Sequence, residues 1–306
     1  MSSEAGARDA SKRCAMIAVV GAPNVGKSTL VNRMVGGKVS IVSPKVQTTR
    51  TRVTGIVAEG DAQLVFLDTP GIFAPRKRLD RAMVDAAWRS AADADVTLLL
   101  VDTAAGLDEE TDRIVTELAA RKVTAVLALN KIDRVKPPRL LELTAELNRR
   151  LRFEATFMIS ALTGDGVADL KKFLAEKAPP GPWLYPDDEM TDMSERLLAA
   201  EITREQIFLQ LQQELPYSVA IETEKWEEFA NGSARVEQVI YVLRENQKKI
   251  VIGEKGARIK AIGQAARAEM ARVLGRPIHL FLHCKVAENW AEKRDFYRLW
   301  GLEYEA

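Results

Sequence analysis

The sequence predicts a doubly wound α/β domain with a mostly parallel sheet, followed by a smaller α+β domain. A chain of 306 residues has room for two domains that each bury a core. Short apolar runs alternate with helical stretches up to residue 177, and the order then changes to helix, strand, strand, two helices, strand. Between them, residues 178–186 contain four prolines and a glycine, which cannot continue a helix or a central strand. We therefore expect a disordered tail over 1–13, the first domain over 14–178, a linker over 179–190 and the second domain over 191–306.

Apolar runs predict the strands of the first domain, at 16–20, 63–68, 96–102, 123–130 and 154–160. Val, Leu and Ile dominate these runs with little alternation, as is typical of parallel strands covered by helices on both faces. Residues 52–59 alternate more and predict an antiparallel edge strand. In a sheet of this class, ligands bind beyond the carboxyl ends of the strands.

The second domain is predicted to begin with a long helix, in which Asp192 and Glu195 form a capping box. Further strands are expected over 217–226, 234–245 and 277–286. In the last of these, alternate residues form an apolar face, and His279, Phe281 and His283 fall on the other. Two histidines two residues apart could bind a metal, but no third ligand is near, so solvent or an interface is the favoured interpretation.

Composition narrows the functional classes. The formal net charge is +1, so any surface for nucleic acid or membrane must be local. The only cysteines, Cys14 and Cys284, lie far apart, which favours a reducing compartment over a disulfide or a structural zinc. No apolar run has the length of a membrane span, and the leader contains Glu4 and Asp9, unlike a secretory signal. The sequence therefore predicts a cytoplasmic protein.

The stretch GAPNVGKS, residues 21–28, follows a predicted buried strand and opens a predicted helix, as a P-loop must. Gly21 and Gly26 let backbone N–H groups turn towards phosphates, beside the positive end of a helix. Lys27 would place a charge on the β and γ phosphates, and Ser28 would supply a hydroxyl ligand to Mg²⁺. The predicted nucleotide contacts here are Gly21, Ala22, Pro23, Asn24, Val25, Gly26, Lys27, Ser28 and Thr29.

Two later motifs concern the base. NKID, Asn130–Asp133, favours GTP over ATP, because Asp133 can accept both the N1–H and the exocyclic amine of guanine. Asn130 would brace the neighbouring loops, and the stem of Lys131 would cover the ring. After the last strand of the domain, Ser160 and Ala161 could offer a backbone N–H to the guanine O6.

Two further motifs predict the switches. In DTPG, Asp68 can hold Mg²⁺ through water and the Gly71 N–H can bond the γ phosphate, with Thr69, Pro70 and Ile72 beside them. QTTR, residues 47–50, predicts the first switch. There Thr49, favoured over Thr48, would supply oxygen to Mg²⁺ and the γ phosphate. The predicted catalytic set is Lys27, Ser28, Thr49, Asp68 and Gly71.

Two residues bear on the hydrolysis rate. Ile72 stands where Ras-type switches place a glutamine that orients water, so intrinsic hydrolysis is expected to be slow. Asn24 leaves two alternatives open: in GTPases with this pattern an asparagine can bind K⁺ beside the phosphates, or it can serve as an amide that braces the loop.

The net charge of the sequence changes from negative to positive before a second glycine loop, Gly253–Gly256. Residues 187–237 carry 13 acids against 4 bases, whereas residues 244–276 carry 9 bases against 3 acids. This change favours a phosphate-binding face over a solvated helix. The loop lacks the GKS ending and a preceding parallel-strand unit, so it is not a second nucleotide pocket.

The motifs together resemble the Era family of translation-factor-related GTPases. GAPNVGKS, QTTR, DTPG, NKID and SAL occur in that family's order, and IGEKGARI is similar to the glycine loop of a type II KH domain. The resemblance implies that this loop presses against the backbone of about four single-stranded nucleotides. Glu254 is an awkward neighbour for phosphate. The implied RNA contacts are Ile252, Gly253, Glu254, Lys255, Gly256, Arg258 and Lys260.

The resemblance also implies a GTP-hydrolysing switch, with GTP, GDP and Mg²⁺ as ligands, that binds 16S rRNA near its 3′ end and the small ribosomal subunit during assembly. Peripheral association with the inner membrane is a further implication, and a monomer is the default expectation. One rival is a regulatory GTPase whose second half docks a protein or membrane. Another is a GTPase that supports tRNA modification, for which Cys284, in a buried strand, is a poor nucleophile.

Overall fold

The computed structural model of the chain describes residues 12–45, 48–75, 77–212 and 215–305. Most of the predicted tail over 1–13 therefore lies outside the described residues. The described chain falls into two compact units. The first consists of residues 12–40, 49–192 and 300–305, and the second of the described parts of 41–48 and 193–299. Each unit is thus built from segments that are distant in sequence.

A six-stranded sheet with strand order β2-β3-β1-β4-β5-β6 forms the centre of the first unit. Its strands are β1 (Arg13–Val20), β2 (Val53–Glu59), β3 (Ala62–Asp68), β4 (Val96–Asp102), β5 (Ala125–Asn130) and β6 (Thr156–Met158). β2 is antiparallel to β3, and every other neighbouring pair is parallel. The predicted doubly wound sheet with an antiparallel edge strand is confirmed.

Helices cover this sheet and bury its apolar strands. They are α1 (Lys27–Val35), α2 (Arg78–Asp93), α3 (Glu109–Ala120), α4 (Pro137–Arg150) and α5 (Val167–Lys177). All seven residues of β3 are buried, which explains why that run shows no alternation of apolar and polar residues. Since parallel strands end at a common edge, the loops after β1, β3 and β5 meet there.

The proline-rich segment lies along the first unit. The Cys14 N–H donates to the Pro179 carbonyl at 3.1 Å. Gln63, fully buried in β3, accepts from the Leu184 N–H and donates to the Tyr185 carbonyl, both at 2.8 Å. The predicted linker is therefore hydrogen-bonded to β1 and β3, and its exact boundaries stay a prediction.

Residues 300–305 also belong to the first unit. Trp300 and Leu302 are buried there. The guanidinium of Arg50 lies 5.6 Å from the centroid of the Trp300 ring, and that of Arg78 lies 4.7 Å from the Tyr304 ring. Both distances are within the range of cation–π attraction.

The second unit contains a three-stranded sheet in the order β7-β8-β9. Its elements are α6 (Glu195–Gln210), β7 (Val219–Glu228), β8 (Ala234–Val242), α7 (Glu245–Ile252), α8 (Ala257–Leu274), β9 (Ile278–Val286) and α9 (Arg294–Leu299). β7 is antiparallel to β8, and β8 is parallel to β9. This order confirms the smaller α+β domain. In β9, His279, Phe281 and His283 are exposed while the alternate residues are covered, as the pattern predicts.

The predicted capping box at the start of α6 is wrong. The side chain of Ser194 caps the helix by accepting from the Leu197 N–H. The Asp192 carboxylate instead accepts from the Thr54 hydroxyl at 3.1 Å and the Tyr185 hydroxyl at 3.3 Å. Asp192 therefore bonds to residues that are distant in sequence or outside the helix, and it does not cap α6. Among the described residues, no helix has the length and apolar character needed to span a membrane.

Candidate functional sites at two glycine loops

The first candidate site is the loop between β1 and α1. Gly26 has a φ of 104°, and a Cβ atom there would lie 2.4 Å from the Asn130 amide nitrogen, so only glycine fits. That nitrogen donates to the Val25 carbonyl at 2.7 Å, and the Asn130 amide oxygen accepts from the Ala161 N–H at 2.9 Å. Asn130 thus joins the loops that follow β1, β5 and β6.

Lys27 is turned into this loop. Its side chain is only 6% exposed, and its ammonium group donates to the carbonyls of Gly21 at 3.1 Å and Ala22 at 2.9 Å. Burial lowers the pKa of Lys27 to about 8, although the nearby Asp68 carboxylate opposes the shift. An anionic oxygen would be a stronger partner for this ammonium than two neutral carbonyls.

Oxygen-bearing side chains from four residues lie close together next to Lys27. The hydroxyls of Ser28 and Thr49 lie 3.0 Å apart, and the Thr49 hydroxyl lies 3.5 Å from a carboxylate oxygen of Asp68. Ser40, which the sequence analysis does not single out, donates to the same carboxylate oxygen at 2.6 Å. The other oxygen of buried Asp68 has no hydrogen-bond partner among the described residues. Hard oxygen donors with a free carboxylate lone pair suit Mg²⁺.

The structure distinguishes the two threonines of the first switch. The Thr48 hydroxyl donates to the Lys45 carbonyl at 2.7 Å, whereas Thr49 is the residue that reaches Ser28. Gln47, the first residue of the QTTR motif, lies outside the described residues. Burial raises the pKa of Asp68, and the hydrogen bonds from Ser40, Ser28 and Thr49 and the charge of Lys27 act against that rise.

The residues after β3 lie against the first loop. A Cβ atom on Gly71 would lie 2.9 Å from the Pro23 Cα, and the Ile72 N–H donates to the Gly21 carbonyl at 3.1 Å. The Ile72 side chain is buried in the core of the first unit. Thr69, also buried with Pro70, donates to the Val19 carbonyl at 2.8 Å.

The remaining predicted base contacts are also close together. The Asp133 carboxylate accepts from the Ser160 hydroxyl at 2.6 Å, which fixes its orientation. The Lys131 ammonium donates to the Asn24 carbonyl at 2.7 Å and pairs with Asp102 at 2.6 Å. Asp102 was not predicted; its place at the carboxyl end of β4 is the signal that could have identified it.

The second candidate site is the loop between α7 and α8. Gly253 has a φ of 73°, and a Cβ atom there would lie 2.6 Å from the Cβ of Arg258. Lys255 is a non-glycine residue in the left-handed region, with a φ of 48°, and its side chain is exposed. Gly256 has a φ of 80° with open space where a side chain would be. Glu254, Arg258 and Lys260 are exposed and Ile252 is half-buried, so the loop presents bare backbone bordered by charge.

Two family models match the chain, one for each unit. Residues 16–131 match the family described as 50S ribosome-binding GTPase, and residues 214–291 match the KH domain. GTPase Era from Afipia carboxidovorans is 56% identical over 292 residues, which is 95% of both chains. The chain belongs to the Era family. GTPase Era from Brucella suis is 54% identical over 95% of this chain and 94% of its own.

Solved Era structures have the same fold. One Era bound to MgGDPNP and nucleotides 1506–1542 of 16S ribosomal RNA is 38% identical, has a TM-score of 0.89 and matches 95% of this chain and 99% of its own. An Aquifex aeolicus Era variant bound to GDP.AlF4- gives the same identity and TM-score, over 94% and 99% of the two chains. The family and the fold predicted from the motifs are therefore confirmed.

A group of buried charged residues on α6 of this Era-family chain was not predicted. Glu201, Arg204 and Glu205 are all buried. Arg204 pairs with Glu201 and donates to the Thr48 carbonyl, and Glu205 accepts from the Val42 N–H at 2.8 Å. Within the second unit these bonds hold the segment that precedes Thr49. A buried charge is stable only when it has partners in a fixed geometry. Charged residues at helical spacing on an otherwise apolar helix face could therefore have predicted this group.

Proposed function

We propose that this Era-family chain binds and hydrolyses GTP at the first glycine loop and binds 16S rRNA near its 3′ end at the second, during assembly of the small ribosomal subunit. The observation that carries the proposal is the half-buried, side-chain-free backbone at Gly253 and Gly256, bordered by the exposed side chains of Lys255 and Arg258. The same chain brings residues predicted to bind phosphate and guanine close together at the first glycine loop. A related Era bound to MgGDPNP and an rRNA fragment supports it.

In the nucleotide site, Lys27 would exchange its two carbonyl partners for phosphate oxygens, and the Gly71 N–H would bond the γ phosphate. Asp133, already oriented by Ser160, would accept from guanine. Ser28, Thr49 and Asp68 would hold Mg²⁺, which neutralises charge on the phosphates when it is bound.

The buried Ile72 side chain offers no group that orients water, so we expect hydrolysis to be slow without stimulation. We also propose that the Asn24 side chain binds K⁺ beside the phosphates. Faster turnover in KCl than in NaCl, lost in Asn24→Ala, would support that role over a bracing one. The proposal takes the chain to act as a cytoplasmic monomer, and peripheral membrane association rests on the family alone.

The test is the anisotropy of a labelled RNA with the sequence of nucleotides 1506–1542 of 16S rRNA. Wild type and the double variant Gly253→Asp/Gly256→Asp are each titrated with a GTP analogue and with GDP. We expect the double variant to lose RNA binding and to keep nucleotide binding, because side chains would hold the RNA backbone off the loop. Gly60→Asp, at an exposed turn with a positive φ and open space, is the matched control and should bind RNA as wild type does.

Equal RNA binding by wild type and the double variant would refute the RNA half of the proposal. A difference between the two nucleotide states would show that the sites are coupled, and RNA would then shift nucleotide affinity by the same factor. Binding of a protein or membrane by the second unit is the rival, and it need not weaken steeply with salt as RNA binding must. For the tRNA-modification rival, burial raises the pKa of Cys284 to about 11, which disfavours a nucleophilic thiolate.

A further inference from the structure

A serine outside the GTPase motifs bonds to the Asp68 carboxylate in the first candidate site. Ser40, between α1 and β2, is 2% exposed, and its hydroxyl donates to a carboxylate oxygen of Asp68 at 2.6 Å. The Thr49 hydroxyl lies 3.5 Å from the same oxygen. The shorter distance is in the range of strong hydrogen bonds to a charged acceptor, and the longer one is at the weak limit. Ser40 therefore holds this oxygen more tightly than Thr49 does.

The backbone of Ser40 is in turn held by α1. The amide oxygen of Asn32 accepts from the N–H groups of Val39 and Ser40, both at 2.9 Å. The amide nitrogen of Asn32 donates to the Ser40 carbonyl at 2.8 Å. Asn32 lies four residues after Ser28, so the two side chains lie on one face of α1. The helix that supplies the predicted metal ligand Ser28 thus also fixes the residue that holds Asp68.

The two oxygens of the Asp68 carboxylate have different surroundings. One accepts the hydrogen bond from Ser40, and the other is buried with no hydrogen-bond partner among the described residues. The last side-chain torsion of an aspartate has a broad range, so a carboxylate without a fixed partner can rotate. A buried acceptor without a partner is also costly, as is expected of an oxygen that serves a ligand. Mg²⁺ prefers oxygen ligands and usually keeps several waters, so this oxygen suits its water shell.

We propose that Ser40 is a positioning residue for the Mg²⁺ site. Its hydroxyl stops the rotation of the Asp68 carboxylate and leaves the second carboxylate oxygen available to the water shell of the metal. Asn32 acts through Ser40, because it fixes the backbone that carries the hydroxyl. The inference rests on the proposed nucleotide site and adds to it two residues that act through Asp68. Partners of this kind typically contribute about 10- to 100-fold to metal affinity.

The experiment measures the rate at which fluorescent GDP leaves the full-length protein, over a series of Mg²⁺ concentrations and in excess EDTA. The Mg²⁺ concentration at half-maximal slowing of release gives the apparent metal affinity, and the rate in EDTA reports nucleotide binding without metal. Ser40→Ala removes the hydroxyl, and Ser40→Thr retains it. Ser90→Ala is the matched control, since Ser90 is 3% exposed in α2 and its hydroxyl donates to the Ala86 carbonyl at 2.9 Å.

For Ser40→Ala we expect the Mg²⁺ concentration at half-maximal slowing to rise by about 10- to 100-fold, with the release rate in EDTA unchanged. Ser90→Ala should match wild type, and Ser40→Thr, which adds a methyl group, should stay closer to wild type than Ser40→Ala. Asn32→Ala should give a smaller rise, and adding it to Ser40→Ala should cause no further rise, because both act through one hydroxyl. Ser40→Cys keeps the side-chain volume with a weak donor, and it should give the same direction of change if Ser40→Ala binds no GDP.

A rise of less than about twofold in Ser40→Ala would refute the inference while the Mg²⁺ site stands. Faster release by the same factor at every Mg²⁺ concentration and in EDTA would also refute it, because Ser40 would then support the fold of the loop rather than the metal site. If Mg²⁺ does not slow GDP release from wild type, the proposed metal site itself fails, and the inference fails with it.

Discussion

The two glycine loops share residue types and differ in burial. Each places a lysine between or beside glycines and opens a helix, α1 in one case and α8 in the other. Lys27 is buried and bonded to its own loop, whereas Lys255 is exposed and projects from a left-handed backbone. The first arrangement suits a small anion enclosed on all sides, and the second suits a long polyanion that only passes over the surface. The element before the loop makes the difference, because a buried strand precedes the first and an amphipathic helix the second.

The largest effect that would separate the loops is expected from Lys27→Ala. GTP turnover should fall by about 10²–10³-fold, as when one charge-stabilising donor is removed from an active site. RNA affinity of the nucleotide-free protein should not change. Phosphate release and RNA anisotropy measure the two quantities, with Lys255→Ala as the matched lysine control. Turnover within tenfold of wild type would mean that the buried lysine does not reach the phosphates.

A matched pair of glycine substitutions should come next in size. Gly26→Ala places a Cβ atom 2.4 Å from the Asn130 amide, which disturbs the loop that Asn130 braces. Strain and a lost hydrogen bond together cost about 2–4 kcal/mol, so guanine-nucleotide affinity should fall about 30-fold or more. Gly256→Ala meets no atom within 4 Å and should keep nucleotide affinity, with about 1 kcal/mol less unfolding free energy from its positive φ. Titration with fluorescent GDP and unfolding in denaturant test the two variants. Similar GDP affinities of Gly26→Ala and Gly256→Ala would show that nucleotide binding does not depend on the glycine at position 26.

The smallest effect concerns Lys255. Lys255→Ala should weaken RNA binding several-fold and lower the slope of log affinity against log salt by about 1, because one phosphate contact is lost. Lys255→Gly should lose the same contact but relieve the left-handed strain, so its unfolding free energy should exceed that of Lys255→Ala by about 1 kcal/mol. An unchanged salt slope in both variants would indicate that the exposed lysine does not touch the RNA backbone.

Contiguous motifs made much of the nucleotide site predictable. The P-loop, DTPG and NKID each carry their residues within a few positions, and each directly follows a strand whose apolar run is visible in sequence. Parallel topology then brings these motifs together at one edge of the sheet. The choice of Thr49 over Thr48 stays a prediction, and the Thr49 hydroxyl lies 3.0 Å from that of Ser28. The alternation in β9 was likewise sufficient to separate its two faces.

Contacts between distant segments were not predictable in the same way. Asp192 has the sequence context of a helix cap, but Thr54 and Tyr185 use its carboxylate, so Ser194 caps α6 instead. Ser40 reaches Asp68 across 28 positions, and no local pattern marks it. Leu215 and Arg258, which are distant in sequence, line one pocket of the second unit, and no local pattern predicts that they lie near each other.

The last described residues have a practical consequence for dissecting the protein. Trp300 and Leu302 are buried within the first unit, and Trp300 lies over Arg50, the residue after Thr49. A gene fragment that stops at the proline-rich segment would therefore encode a GTPase piece that lacks part of its own interior. The thermal stability and solubility of this fragment would be lower than those of the same unit in the full chain. Enzymology on such a truncated piece would then measure the damage of cutting as well as the chemistry of the site.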